Sequence, residues 1–193
     1  MTSTRSRLLD AGVRLFADRG FDGVTVGEIE AEAGFVARGG TLYRHFSSKA
    51  ELLDAAMRHH VESLGEYDAI LRLLPLPDLA SELRLIGRWM LDRLDREEAI
   101  SHIVEKEGTR LSHLSDAMRD GLSEPGYRLA AAYLSQHVGQ HDADTDAMAV
   151  ILLGSLINLR RSRWTFGRAP IGVDDDRAID AWVSICLAAI EPS

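Results

Sequence analysis

Apolar positions recur along this chain at intervals of three and four, and no stretch shows the sustained alternation that a half-buried strand requires. In SRLLDAGVRLFADRG, Leu8, Leu9, Gly12, Val13, Phe16 and Ala17 share one helical face, and Gly20 stops the segment before Phe21 turns back. Thr25 with Glu28 three places on has the form of a capping box, opening a short helix with Val26, Ile29 and Ala33 inward and its end at Gly34. After the connector FVARGG, the segment TLYRHF places Leu42 and Phe46 at i,i+4. Ser48 with Glu51 predicts a second capping box and a longer helix through ELLDAAMRHHVESL.

The remainder is patterned as longer helices. Pro75 and Pro77 break the chain, and a helix is predicted from about Asp78 to Arg96 with Leu79, Leu83, Ile86, Met90 and Leu94 inward. A helical stretch interrupted near Gly108 follows, then GYRLAAAYLSQHV behind Pro125, ended by the polar segment GQHDADTD. AMAVILLGSLINL is apolar on nearly every side, and a last helix from about Asp174 to Ile190 carries Ile179, Trp182, Val183, Cys186 and Ile190. A helix apolar all round must be buried all round, so these last two helices are predicted to pair with those of a second copy in a four-helix contact. The reading in which both sit in a monomer core stays open.

Composition adds an asymmetry. The chain's 193 residues carry a net charge of −8, which is unlike a nucleic-acid binder taken whole. Residues 1–50, however, hold seven basic and six acidic side chains, against fifteen and twenty-four in residues 51–193. A near-neutral front can bind phosphates where its arginines converge, with salt-sensitive affinity. No apolar run approaches a membrane span and the opening MTSTRSRLLDAG lacks the features of a secretory signal, so a cytoplasmic protein with no membrane partner is expected. The single cysteine, Cys186, lies in an apolar run and is read as a packed thiol. No phosphate-binding glycine motif, nucleophile elbow or zinc signature is present, so neither an enzyme nor a cofactor is expected. His137 and His141 are four apart, but Gly139 lies between them and no cysteine is near, and no metal site is assigned.

Short helix, tight connector, short helix and, immediately after, a capped helix together form a helix-turn-helix arrangement. Thr41, Tyr43, His45 and Lys49 flank its second part with groups able to reach phosphates or base edges, while Leu42 and Phe46 hold it down. The stretches LFADRGF, TVGEIEAEAGF, GTLYRHF and SKAEL, in that order and spacing over roughly residues 5–53, resemble the signature of the tetracycline-repressor (TetR) family. The resemblance implies an all-α fold: an N-terminal three-helix DNA-binding head, residues 1–48, joined to a C-terminal helical ligand-binding and dimerisation bundle, residues 49–193. It implies a homodimer on a near-palindromic double-stranded operator, usually repressing, with a small-molecule effector in the rear. On it, Thr25 caps the second helix against a phosphate, Thr41, Tyr43 and His45 face the major groove, and Lys49 grips the backbone. Arg5 and Arg7 reach phosphates or the adjacent minor groove.

Two departures qualify this. Glu30 stands where the family usually has alanine, and a carboxylate there must either face solvent or be buried at a cost. Six residues, FVARGG, separate Gly34 from Thr41 where the pattern has four. Within a helix, two extra residues would rotate what precedes them by about 200°. The insertion is therefore expected in the turn, where Gly39 and Gly40 make a new path cheap, carrying Arg38 outward. If Thr41, Tyr43, Arg38 and Lys49 share an exposed face with Glu30 turned aside, a regulator is supported. If Glu30 and the added loop occupy that face, the alternative is a dimeric ligand-binding or protein-interaction module with weakened DNA binding. For the rear domain, Trp89, His102, Arg110, Tyr133, His137, Asn158 and Trp164 are the candidate ligand contacts by type and position. Asn158 interrupts an otherwise apolar helix, where an unpaired amide would be expensive, and is a candidate to bond across the dimer or to the ligand. The run RRSR, residues 160–163, is expected to form salt bridges with the acidic body rather than a nucleic-acid patch.

Overall fold

A computed structural model describes residues 3–64, 68–138 and 143–190. Its described elements are helical: α1 (Thr4–Arg19), α2 (Val26–Glu32), α3 (Lys49–Leu64), α4 (Asp68–Leu71), α5 (Leu79–Glu107), α6 (Ser112–Met118), α7 (Glu124–His137), α8 (Thr145–Phe166) and α9 (Asp175–Ile190). Single tight turns of 3-10 helix lie at Leu42–Arg44 and Pro170–Gly172, and a π-type turn at Arg119–Ser123 joins α6 to α7. The chain divides into two compact units, Met1–Gly65 with Glu97–Leu122, and Glu66–Arg96 with Ser123–Ser193. The fold is all-α, with helix-turn-helix elements at the N-terminus and a C-terminal helical bundle.

The first unit is built on a core of Leu8, Phe16, Ile29, Leu42, Leu52, Met57, Ile100 and Ile103, each almost fully withdrawn from water. Gly12 lets α1 lie close against α3, since a Cβ there would stand 2.4 Å from Leu52 Cδ2. The predicted box at Thr25 is present: Thr25 Oγ1 accepts from the Glu28 amide, and Glu28 accepts from the Thr25 amide at 2.8 Å. At α3, Ser48 Oγ accepts from the Glu51 amide at 3.0 Å, but the Glu51 carboxylate reaches back to the Ser47 amide instead of that of Ser48. The C-terminal turn of α5 clasps the end of α1. Lys106 donates to the Ala17 and Asp18 carbonyls, and buried Glu107 accepts from the Phe21 amide at 2.8 Å. Arg110 links Glu107 to Asp22 at 2.8 and 2.7 Å.

The second unit packs Leu83, Met90, Leu94, Leu134, Leu152, Leu153, Leu156, Ile179, Trp182, Val183 and Cys186 into one core. The helix predicted to end near Arg96 continues without a break to Glu107, because EEAISHIVEKE keeps an apolar face through Ile100 and Ile103. Gly108 then ends it as expected: a Cβ there would meet Ser115 Oγ at 2.3 Å. The expectation for RRSR holds at Arg160 and Arg163. Arg160 is buried between Asp95 (2.7 Å) and Asp175 (2.8 Å), and Arg163 reaches Asp175 at 2.9 Å. Burial acts against its charge, but the two carboxylates outweigh it and hold the guanidinium above its ordinary range. The outer face of α8, by contrast, exposes Val150, Ile151 and Asn158, and α9 exposes Ile185.

Candidate functional site

The turn after α2 positions the candidate recognition residues. The insertion lies where the glycines suggested, outside any helix, with Gly34 and Gly40 at positive φ (75° and 73°). Arg38 itself takes φ 61°, a conformation that favours glycine, and its side chain lies over Gly27 of α2, within 3.1 Å of where a Cβ would stand. The following segment is a single 3-10 turn, shorter than the helix its spacing suggested. Leu42 and Phe46 are buried beneath it, while Tyr43, Arg44 and His45 stand exposed and Thr41 is half-buried.

Glu30 neither faces solvent nor occupies the exposed face. It is fully buried, and its Oε1 accepts from the Leu42 amide at 2.9 Å, the first residue of the tight turn. A turn so short leaves its opening amides without helical partners, and the carboxylate supplies one. The Phe35 amide closes on the Glu30 carbonyl at 2.8 Å, so this one residue anchors both ends of the inserted connector.

The remaining head candidates divide. Tyr43, His45, Arg38 and Thr25 are exposed, whereas Lys49 is turned inward: its ammonium donates to the Phe21 and Val24 carbonyls at 2.6 and 2.7 Å and lies 4.2 Å from the Phe21 ring centre. Arg7 donates to the Ala33 carbonyl at 2.5 Å and stacks on Phe35, and Arg5 lies over Phe46, tying the first turn of α1 to the recognition segment. Arg44, exposed between Tyr43 and His45, is the cation that the sequence reading passed over. Its place inside TLYRHF was the available signal. Glu28 beside this surface is held down to about 2 by hydrogen bonds from Thr25 and then Arg19.

The second unit contains a cavity with about 70 Å³ of space for atom centres, several times what one water needs. Its walls come from α4, α5, α7, α8 and α9 and include Leu83, Trp89, Met90, Tyr133, Leu152 and Trp182. Of the seven residues proposed from sequence, Trp89 and Tyr133 line it. His137 adjoins it, with its ring 4.3 Å from that of Tyr133 and its Nδ1 donating to the Tyr133 carbonyl at 2.8 Å. His102 and Arg110 fall in the first unit, Arg110 within the α5–α1 clasp. Asn158 is exposed on α8, and Trp164 is half-buried near the end of the same helix, outside the cavity wall. His141 lies outside the described residues. Glu82 was not foreseen: buried on α5, it accepts from Tyr133 Oη at 2.6 Å and from the Leu76 amide at 2.7 Å. Among the described residues, no three potential metal ligands gather, and no helix is long and apolar enough to cross a membrane.

Residues 8–56 match the family described as bacterial regulatory proteins, tetR family. The chain is 40% identical over 137 residues to the HTH-type transcriptional repressor KstR2 of Rhodococcus jostii, an alignment covering 64% of this chain and 65% of that protein. It is 33% identical over 115 residues to KstR2 of Mycolicibacterium smegmatis, covering 58% and 53%. These alignments span between about half and two thirds of the relatives' lengths. In fold, the chain is similar to a TetR-family transcriptional regulator from Mesorhizobium loti, with a TM-score of 0.74 at 20% identity over 96% of this chain and 95% of that one. A head with this motif order, matched to the family model, leads to one conclusion: residues 8–56 are a helix-turn-helix head of the TetR family, and the chain as a whole shares the fold of a TetR-family regulator.

Proposed function

We propose that this protein is a ligand-responsive transcriptional regulator, a repressor that binds a near-palindromic operator as a homodimer. The observation that carries the reading is the exposed run Tyr43, Arg44 and His45 on a turn pinned by buried Leu42 and Phe46. Such a turn presents donors and an aromatic edge to a groove without losing its foothold. Arg38 adds a phosphate contact beside it, whereas Thr25 gives both its amide and its hydroxyl hydrogen to Glu28 and serves as the cap of α2. Arg5, Arg7, Thr41 and Lys49, set by their contacts within the head, shape the surface that docks. Because Glu30 is directed into the core, its charge does not stand on this face. Of the four residues whose shared face would mark a regulator, Tyr43 and Arg38 are exposed while Thr41 is half-buried and Lys49 turns inward, so it is the placement of Glu30 that favours the regulator over the interaction module. The relatives' description as repressors supports the sign of the response.

In this reading, residues 1–48 are the DNA-binding part and 49–193 sense and dimerise. The effector occupies the cavity beside Trp89, Tyr133 and His137. The exposed apolar residues of α8 and α9 meet those of a second copy, where Asn158 finds a hydrogen-bonding partner. The test is binding of purified protein to the DNA upstream of its own gene, with unrelated duplex as competitor, at two salt concentrations. Specific binding saturating at two subunits per site, lost in a Tyr43→Ala, His45→Ala double variant that still folds, is the expected result. Equal binding to a selected random pool and to unrelated duplex overturns it.

A further inference from the structure

The cavity also restricts the chemistry of what enters it, an inference that rests on the ligand-sensing reading above. Among the described residues, none that lines it is a lysine, arginine or histidine. Arg93 lies 5.7 Å from the Trp89 ring centre and is not itself part of the wall. The polar atoms that do line the cavity are largely committed. Trp182 Nε1 donates to the Leu152 carbonyl at 3.0 Å, and burial pushes the Cys186 thiol up to about 12, so it stays a neutral thiol.

Tyr133 is committed in a particular sense. Its hydroxyl donates to Glu82 Oε2 at 2.6 Å, while Glu82 Oε1 accepts from the Leu76 amide at 2.7 Å. The Tyr133 hydroxyl and the Leu76 amide thus address the two oxygens of Glu82 separately. Burial and then the Glu82 carboxylate hold the Tyr133 phenol far above its usual range, keeping the proton between them. His137 Nδ1 must carry hydrogen to reach the Tyr133 carbonyl, and its Nε2 lies 4.0 Å from the same Glu82 oxygen. With its proton given to Glu82, Tyr133 has only an oxygen lone pair left for a ligand. A ligand carboxylate would set acceptor against acceptor, with a buried anion behind it and no cation in the wall to pair. An alcohol or phenol instead donates into that lone pair and extends the chain of hydrogen bonds towards Glu82.

We propose that the cavity takes an uncharged, compact and mostly apolar effector that donates a hydrogen bond to Tyr133 Oη, and that it rejects the carboxylate of the same skeleton. The test is calorimetric titration of the full chain at neutral pH with 1-adamantanol and with 1-adamantanecarboxylate, in wild type, Glu82→Gln and Tyr133→Phe. Both substitutions preserve side-chain shape, and melting curves verify that the variants fold. The expected result is saturable binding of the alcohol at least about tenfold tighter than the carboxylate. Glu82→Gln should narrow that gap to about threefold or less, and Tyr133→Phe should weaken the alcohol several-fold. Equal or tighter binding of the carboxylate to wild type overturns the selectivity while leaving the cavity a ligand site. A preference unchanged in both variants overturns it too, because generic desolvation then accounts for it. Binding of neither compound, with no shift in melting, overturns the sensing role of the cavity together with the proposal.

Discussion

The Glu30 carboxylate lies 2.9 Å from the Leu42 amide in a position with no exposure to water. Replacing it with alanine strands a buried donor and leaves a small void, and Glu30→Ala is expected to destabilise the head by about 2–3 kcal/mol. Glu30→Gln, which keeps an acceptor at the same place, should lose less than about 1 kcal/mol. Denaturant unfolding monitored by circular dichroism separates the two, and equal losses would remove the acceptor role. Because Glu30 bonds at both ends of the connector, shortening the connector by Val36 and Ala37 in the alanine background is expected to recover part of the loss, a coupling that a double-mutant cycle reads directly. Glu28 provides a second test through pH. Its folded value is depressed from the ordinary 4.5 to about 2, so its contribution is complete above the ordinary value and is lost as pH falls through about 2. Glu28→Gln should therefore melt below wild type at neutral pH, with the difference closing between about pH 4.5 and 2. A gap that stays constant across that window would assign the effect to something other than the carboxylate. Glu30 was visible in the sequence as an anomaly. Its solution was not, because a burial cost has two outcomes until the partner amide is placed.

At the scale of elements, short-range pattern was informative where caps and apolar stripes agreed. Thr25 with Glu28, the stop at Gly20 and the apolar run of α8 all fall where periodicity and capping chemistry put them. The extent of α5 was not legible, since a helix that continues past Arg96 and one that stops there share the same apolar period, and only packing of Ile100 and Ile103 decides. The recognition segment contracted to one 3-10 turn for a related reason: its opening amide is held by a side chain twelve residues away rather than by a preceding helical turn. On α8, Ile151 is 70% exposed within a helix otherwise buried along its inner face. Ile151→Glu is expected to convert a dimer to a monomer in sedimentation analysis at micromolar concentration, with melting of the isolated chain shifted little, because the side chain supports no contact of the inner core. A dimer that persists unchanged would place the interface elsewhere.

Across the molecule, charge and DNA affinity are linked. With seven basic against six acidic residues in the first fifty and an excess of nine acidic residues behind, the protein should bind non-specific duplex weakly. Specific affinity should fall steeply with salt, and Arg44→Ala should lower the slope of log affinity against log salt by about one per head, about two per dimer. An unchanged slope would show that Arg44 does not meet phosphate.

The linear chain by itself determined the helical class, the capped helices of the head, the family resemblance and the place of the insertion, since each depends on residues within a few turns of one another. It also nominated Trp89, Tyr133 and His137. Tertiary structure alone decided that these three gather at one cavity, that Lys49 and Arg7 turn inward, and that Glu82 joins them from behind Tyr133. The physical reason is separation: Glu82 and Tyr133 are 51 residues apart, and Lys49 and Phe21 are 28 apart. Contacts over such distances are set by how helices pack, and local periodicity does not encode that.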